Sequence, residues 1–384
     1  MRELDVIIAK YQELRVQEIR CILATVVHVE GSSYRRAGAR MLVDEYGNIT
    51  GAISGGCLEG DALRKALYAL DRQENKLVTY DTSDEDDAII GAQLGCNGII
   101  QVLFEPIDYT NRHNPCALLQ AAAEQEVSLA ISVVFDLNKT QNQLGTCLIA
   151  NENQAVLGKQ IQGNLHKVLL AKSKEVIKGG SSCFGKIEAD ENTHFVFIQQ
   201  HQPPVKLILV GAGNDARILA QQADILGWRV TVMDGRPTHA KKERFVGSCQ
   251  VILAKPEETL QNIQMDERTC FVLMSHNYNY DLSVLKLLLG NRAIPYIGIL
   301  GPLKKYERML NELADGGIEV SKEDLKKIHA PVGLEIGAET PAEIGLSILA
   351  EIQSVLNHKE PRPLKQKNEP IHDTKTNQFQ KITL

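Results

Sequence analysis

A glycine turn between two apolar runs constrains the fold of this chain more than any other feature. An apolar run over residues 205–210 leads into a Gly-x-Gly-x-x-Ala turn at 211–216, which opens a helical pattern. A second apolar run over 229–233 follows, and Asp234 comes directly after it. Strand, glycine turn, helix, strand and acid is the order of the first βαβ unit of a dinucleotide-binding domain. The sequence therefore predicts a Rossmann-type parallel sheet here.

Each position of the glycine turn has a role in that prediction. Gly211 permits the tight turn, and Gly213 lets the backbone approach a pyrophosphate. Asn214 and Asp215 begin the helix, whose N-terminal N–H groups and partial positive charge attract phosphates. A fold kept without its ligand, or one that takes a different phosphate compound, remains an alternative because fold alone does not fix function.

Polar residues follow the strands of this region. Asp234 lies where an acid accepts a hydrogen bond from a ribose hydroxyl of NAD. Arg236 just past it can hold the 2′-phosphate of NADP, so the sequence does not decide between the two nucleotides. His276 follows a predicted strand at 270–274, which places it in the ligand crevice either as a general acid or base or as a helix cap. Asp281 is predicted to be the N-cap of a helix over 282–289.

Composition favours a globular protein with more than one domain. The chain has 384 residues, of which 43% are hydrophobic and 23% charged, as is ordinary for soluble proteins of two or three domains. The net charge of −6 offers no polybasic surface to nucleic acid or membrane. Without a long apolar run or a signal-peptide pattern, we expect a cytoplasmic protein. The eight cysteines have no Cys-x-x-Cys spacing, which disfavours a structural zinc site.

The order of patterns along the chain predicts an α/β protein with two domains and a tail. Residues 1–202 form the N-terminal mixed α/β domain, with a single helix, at 116–126, in its second half. Residues 203–358 form the Rossmann-type parallel-sheet domain. The polar tail at 359–384 has a composition typical of disorder.

A second glycine turn precedes a predicted helix at 58–71. Gly55 and Gly56 let successive N–H groups point into one concavity, which favours an anion. Cys57 follows them at the helix N-terminus, where the helix dipole favours a thiolate that can act as a nucleophile or a soft metal ligand. A packed cysteine beside a glycine turn is an equally weighted alternative.

Two further segments carry candidate binding residues in the N-terminal domain. Gly95 and Cys96 repeat the glycine–cysteine theme before another strand, either as a structural turn or as a redox partner of the first cysteine. Arg35, Arg36 and Arg40 belong to a basic loop whose guanidinium groups suit a phosphate or carboxylate. A solvated surface loop is the commoner role for such arginines.

Together these motifs resemble the XdhC/CoxI family of xanthine dehydrogenase accessory proteins. The resemblance covers nearly the whole chain except the tail. Asn214 stands where many relatives have His, and the residues after His276 are less acidic than the family pattern. The matching motifs lie at 31–41, 54–59, 94–98, 211–216, 234–237, 296–301 and 329–338.

The resemblance implies a maturation chaperone rather than a turnover enzyme, so no catalytic residue is assigned. Such a protein binds the molybdenum cofactor (molybdopterin), protects it during sulfuration by a cysteine desulfurase and delivers it to an apo molybdenum hydroxylase of the xanthine dehydrogenase type. The motif cysteine of the family matches Cys57, which would contact molybdenum or its sulfur. Both glycine turns and the three arginines would cradle the cofactor phosphate, and the Rossmann crevice would take NAD(P), another nucleotide or the dinucleotide extension of the cofactor.

Two other functions fit the same residues. An NAD(P)-dependent oxidoreductase would use His276 as acid–base residue, although a Tyr-x-x-x-Lys pair in the right context is missing. A nucleotide-sensing scaffold would need no chemistry. We also expect a homodimer, because twofold dimers are the commonest oligomers and the polar tail needs a surface to hold it.

Overall fold

The computed structural model contains two compact units within the chain. One comprises Pro204–Gln366, and the other comprises Glu3–Pro203 with the C-terminal segment after Gln366. The structure describes residues 3–31, 34–56, 58–81, 98–161, 163–189, 192–261 and 263–368, and the backbone of 379–382. Among these residues, no helix is both long enough and apolar enough to cross a membrane.

The N-terminal unit begins with a five-stranded antiparallel sheet in the order β3-β2-β1-β5-β4. Its elements are α1 (Glu3–Val16), β1 (Cys21–Gly31), β2 (Arg40–Asp44), β3 (Ile49–Gly51), α2 (Glu59–Arg72), β4 (Lys76–Asp81) and β5 (Gly98–Pro106). Helix α2 buries Ala62, Ala66, Ala69 and Leu70, the spacing of a single apolar helix face. This face packs on the outer side of the sheet.

A six-stranded sheet completes the unit, and its sixth strand, Phe379–Ile382, comes from the C-terminal segment. Its elements are α3 (Pro115–Ala123), β6 (Leu129–Phe135), β7 (Gly145–Ala150), β8 (Ala155–Gly158), α4 (Asn164–Gly179), β9 (Cys183–Ala189) and β10 (Asn192–His201). Val27 and Leu103 of the first sheet pack against Phe135 and Phe197 of the second. The two sheets therefore form a sandwich, with α2 on one outer face and α4 on the other.

Two expectations for this unit are wrong. The section 111–202 contains two helices, α3 and α4, rather than one. The overlooked helix α4 carries a periodic apolar face that includes Leu165, Val168 and Leu169. The tail is not wholly irregular either, because Phe379–Ile382 forms a strand that pairs in parallel with β9.

The C-terminal unit is the predicted Rossmann-type domain. All six strands are parallel, in the order β13-β12-β11-β14-β15-β16. The elements are β11 (Lys206–Val210), α5 (Asn214–Ile225), β12 (Arg229–Asp234), β13 (Gln250–Leu253), β14 (Thr269–Leu273), α6 (Tyr278–Leu288), β15 (Tyr296–Ile299), α7 (Leu303–Asp315), α8 (Lys322–Lys327), β16 (Ile328–His329) and α9 (Pro341–Leu356). The order reverses between β11 and β14, which opens a crevice at their carboxyl ends.

Candidate functional site

Gly211 allows the ends of β11 and β14 to approach each other at the switch point. Its φ is +122°, and a Cβ at this position would lie 2.4 Å from the Met274 carbonyl oxygen and 2.5 Å from Ser275 Cα. Both neighbours are backbone atoms that cannot rotate away. Glycine is therefore required at this position by the fold itself.

Gly213 has a different role in the same turn. It is the N-cap residue of α5 with φ −68°, and the nearest atoms to an added Cβ are those of the His276 ring, at 3.6 Å. The backbone conformation is an ordinary one, and an added Cβ would be in ordinary van der Waals contact with the ring. The absence of that carbon lets a phosphate oxygen come closer to the first N–H groups of the helix.

His276 and Asp215 meet at the mouth of the crevice. His276 Nε2 lies 3.6 Å from Asp215 Oδ2, and the two side chains are 58% and 36% exposed. The backbone of His276 is left-handed, with φ +56°, which turns the residue away from the strand it follows. The structure thus places a base, His276, and an acid, Asp215, side by side at the crevice.

The helix after His276 is capped by a residue other than the one predicted. Asn277 Oδ1 accepts a hydrogen bond from the Tyr280 N–H at 3.2 Å, and α6 begins at Tyr278. Asp281 lies inside the helix and is fully buried. It accepts hydrogen bonds from Ser275 Oγ at 2.5 Å and Lys305 Nζ at 2.7 Å. Asp281 is therefore not the N-cap but the buried anchor of the segment that carries the histidine.

Asp234 is already hydrogen-bonded by its own chain. Its Oδ1 accepts from Arg236 N at 2.8 Å and Nε at 2.9 Å, and its Oδ2 accepts from Ala212 N and Arg236 Nη2, both at 2.7 Å. Burial alone raises the pKa of Asp234, but the hydrogen bonds from Arg236 and Ala212 outweigh it and lower the pKa. The pKa of Arg236 is raised by the same pair.

Arg244 is a functional candidate that sequence reasoning missed. Its Nη1 donates to the Ala212 and His239 carbonyl oxygens at 2.8 and 3.0 Å, and its Nη2 donates to Asn214 Oδ1 at 3.2 Å. The guanidinium group thus braces the glycine turn from outside. The only signal in the sequence was the cluster of basic residues after β12.

The glycine turn formed by Gly55 and Gly56 is described on both sides of Cys57. Ser54 Oγ accepts from Gly56 N at 3.2 Å and Leu58 N at 3.1 Å, and it donates to the Glu59 carboxylate. Burial raises the pKa of Glu59, but the hydrogen bonds that its carboxylate accepts, chiefly from Ser54, outweigh burial and lower the pKa overall. Helix α2 begins at Glu59. Cys57 itself lies outside the described residues.

At Gly56 the turn is not crowded by any of the described residues. Gly56 has φ +108°, and no described heavy atom lies within 4 Å of where its Cβ would be. At Gly55 an added Cβ would lie 3.2 Å from the exposed Tyr34 ring. Gly95 and Cys96, the second glycine–cysteine pair, lie outside the described residues. Among the residues that are described, no cluster of three or more His, Cys, Asp or Glu side chains is arranged to hold a metal ion.

The three predicted arginines of the basic loop differ in exposure. Arg36 is exposed, and Arg35 is paired with Glu3. Arg40 is only 4% exposed and donates from Nη2 to Gln199 Oε1 at 2.7 Å and from Nη1 to the Gly38 carbonyl. Burial lowers the pKa of Arg40 to about 10. Arg40 therefore joins β2 to β10, and we do not include it in the proposed binding surface.

A partly buried polar cluster links the motif at 329–338 to α9. Glu351 Oε2 accepts from Tyr296 Oη at 2.5 Å and from Gly333 N at 3.0 Å, and Oε1 lies 3.2 Å from His329 Nδ1. The His329 ring stacks on Tyr296. Burial raises the pKa of Glu351, but the hydrogen bonds from His329 and Tyr296 lower it overall. The cluster ties the loop after β16 to the helix.

Family models match both parts of the chain. The XdhC and CoxI family model matches residues 14–81, and the XdhC Rossmann domain model matches residues 207–352.

The chain is also similar to known proteins along most of its length. It is 33% identical to a probable xanthine dehydrogenase subunit of Bacillus subtilis (strain 168), covering 86% of this chain and 92% of that protein. It is 25% identical to the molybdenum cofactor insertion chaperone PaoD of Escherichia coli (strain K12), covering 88% and 84%. The crystal structure of a xanthine dehydrogenase from Bacillus halodurans matches with a TM-score of 0.73 and 29% identity, covering 95% of this chain and 99% of that one.

Proposed function

The chain belongs to the XdhC/CoxI family, and on that premise we propose that it is a maturation factor for molybdoenzymes. In this proposal it binds the molybdenum cofactor as cargo and delivers it, after sulfuration by a cysteine desulfurase, to an apo molybdenum hydroxylase of the xanthine dehydrogenase type. Similarity to a protein named as a molybdenum cofactor insertion chaperone supports the cargo. Similarity to a protein named as a probable xanthine dehydrogenase component supports the client class.

The open space at Gly56 carries the proposal for the N-terminal unit. Gly56 has a left-handed φ, and apart from its chain neighbours no described heavy atom lies within 4 Å of where its Cβ would be, which supports room for a bulky anion there. Ser54 Oγ accepts hydrogen bonds from the N–H groups of Gly56 and Leu58, so its own chain holds the turn and these two N–H groups are not free for an anion. In this proposal the cargo therefore occupies the room at Gly56 and can leave without unfolding the turn.

Cys57 is proposed as the residue that contacts molybdenum or its sulfur. It lies two positions before the start of α2 at Glu59, and a position near a helix N-terminus favours a thiolate. We place Arg35 and Arg36 beside the cofactor phosphate, with Gly95 and Cys96 as the second turn of the cradle. Support for this set comes from the sequence motifs and from the exposure of Arg36.

The Rossmann crevice is proposed to bind a nucleotide or the dinucleotide extension of the cofactor. The first N–H groups of α5 follow Gly213, and His276 and Asp215 line the entrance. These groups would bind and orient the ligand, since the N–H groups donate to phosphate oxygens.

Activation of an apo molybdenum hydroxylase by the purified, cofactor-loaded chain tests the proposal. Cys57→Ala should retain less cofactor and fail to activate the client, whereas Cys183→Ala should behave like the wild type. Cys183 is a suitable control because it is a half-buried free cysteine in β9. Equal activation by Cys57→Ala and the wild type would show that this thiol is structural.

A further inference from the structure

The acid that ends β12 has no capacity left for a ribose diol. In dinucleotide-binding domains that read NAD, this carboxylate accepts hydrogen bonds from the ribose hydroxyls. Here both oxygens of Asp234 already accept two hydrogen bonds each, three of the four from Arg236. A carboxylate offers about four acceptor positions. A ribose diol would therefore have to displace a bidentate, charge-assisted ion pair.

The Arg236 guanidinium group at the same place is available to bind a phosphate. The Arg236 side chain is 45% exposed, and its Nη1 has no hydrogen-bond partner among the described residues. Because the guanidinium group neutralises Asp234, the carboxylate no longer repels an incoming anion. A phosphate can add to Arg236 without breaking any existing hydrogen bond.

The charge of the surrounding segment is also positive. Residues 236–244, which follow β12, contain four basic side chains, Arg236, Lys241, Lys242 and Arg244, and a single acid, Glu243. Lys241 is exposed, while Arg244 reaches the glycine turn at Ala212. The chain as a whole carries a net charge of −6. The positive charge of this segment therefore differs in sign from the net charge of the chain.

We propose that the segment 236–244 selects a dinucleotide whose adenosine ribose carries a 2′-phosphate, the NADP class, over one with a free ribose diol. The inference rests on the proposed nucleotide site in the Rossmann crevice. Arg236 is the residue that determines specificity, because it blocks the diol acceptor and supplies the phosphate donor. Arg244 is a positioning residue that holds the turn for either nucleotide.

Calorimetric titration of the full chain with NADP and with NAD tests the selection. A charge-assisted contact corresponds to about 10- to 100-fold in affinity, so the wild type should prefer NADP by at least about the lower value. Arg236→Ala should lose this preference and bind NAD no more weakly than the wild type does. Arg244→Ala should weaken both nucleotides together. Arg292→Ala, which removes an exposed charge before β15 at the opposite end of the sheet, should change neither.

Each result has a definite meaning. The selection would be overturned if the wild type bound NADP and NAD with equal affinity. It would also be overturned if Arg236→Ala, with its unfolding transition intact, kept the wild-type ratio of the two affinities. Binding of neither nucleotide would overturn it together with the nucleotide role of the crevice. Molybdenum and pterin content, measured on the same preparations, reports the cargo function separately, so the two failures are distinguishable.

Discussion

The two glycines of the Rossmann turn should differ in their response to the same substitution. Gly211→Ala places a Cβ 2.4 Å from the Met274 carbonyl oxygen in a backbone with φ +122°. A non-glycine residue in so rare a conformation costs about 1–3 kcal/mol. Forcing an extra carbon into packed surroundings costs a further ~1–3 kcal/mol. The Rossmann unit should therefore lose about 2–6 kcal/mol of unfolding free energy.

Gly213→Ala is the matched control, since it adds the same carbon two positions later. The φ of −68° suits alanine, and the nearest atoms are at 3.6 Å. Reduced entropy of the unfolded chain stabilises such a change by about 0.4–1 kcal/mol, which roughly offsets replacing glycine by the poorer N-cap residue alanine. We expect little change in stability but weaker nucleotide binding.

Thermal unfolding followed by calorimetry measures the difference. At roughly 2–4 °C per kcal/mol for a unit of this size, Gly211→Ala should lower the Tm of the Rossmann transition by on the order of 10 °C. Gly213→Ala should leave it within a few degrees. If Gly211→Ala unfolds at the wild-type temperature, the close approach of β11 and β14 does not exist as described.

Two further predictions concern residues outside the glycine turn, and a third concerns the oligomeric state. Glu351→Gln should cost about 1–3 kcal/mol in urea unfolding through loss of a partly buried charged partner. Because the folded pKa of Glu351 is lowered, its stabilisation is present above its unfolded pKa of about 4.3 and lost as the pH falls through the folded value. The variant should therefore show less loss of stability in acid than the wild type. Arg40→Met should destabilise the N-terminal unit by about 1–3 kcal/mol without changing cofactor retention, because Arg40 is interior; loss of retention in a folded variant would place it in the site. Light scattering should give twice the chain mass of 42.5 kDa, and a concentration-independent monomer would exclude the dimer.

The Rossmann unit could be predicted because its signals are local. Two glycines, two apolar runs and an acid lie within about 30 consecutive residues, the length of a βαβ unit, and each acts on its immediate neighbours. The prediction of Asp281 as the N-cap of α6 was wrong, because the cap is Asn277, four positions earlier. Asn277 reaches the free N–H of Tyr280, whereas Asp281 is drawn inward by Lys305, a partner from the next helix along the chain.

Contacts between distant parts of the chain explain what the sequence did not reveal. Arg244 reaches Asn214 across 30 positions. Glu351 in α9 reaches Tyr296 in β15 and His329 in β16. No spacing rule links such residues, because their proximity depends on the order of strands in the sheet. The sequence also did not reveal that the Asp234 carboxylate already accepts hydrogen bonds from Arg236, although the two residues are only two positions apart.

The small molecule that accompanies the chain from cells is the most direct test of the maturation role. The protein would be purified from cells that synthesise the molybdenum cofactor, and molybdenum and pterin would be quantified per chain. We predict that the wild type and Cys183→Ala carry both in equal amounts, and that Cys57→Ala carries neither although it is folded. A folded wild type without molybdenum and pterin, from cells in which a molybdenum hydroxylase is active, would contradict the account.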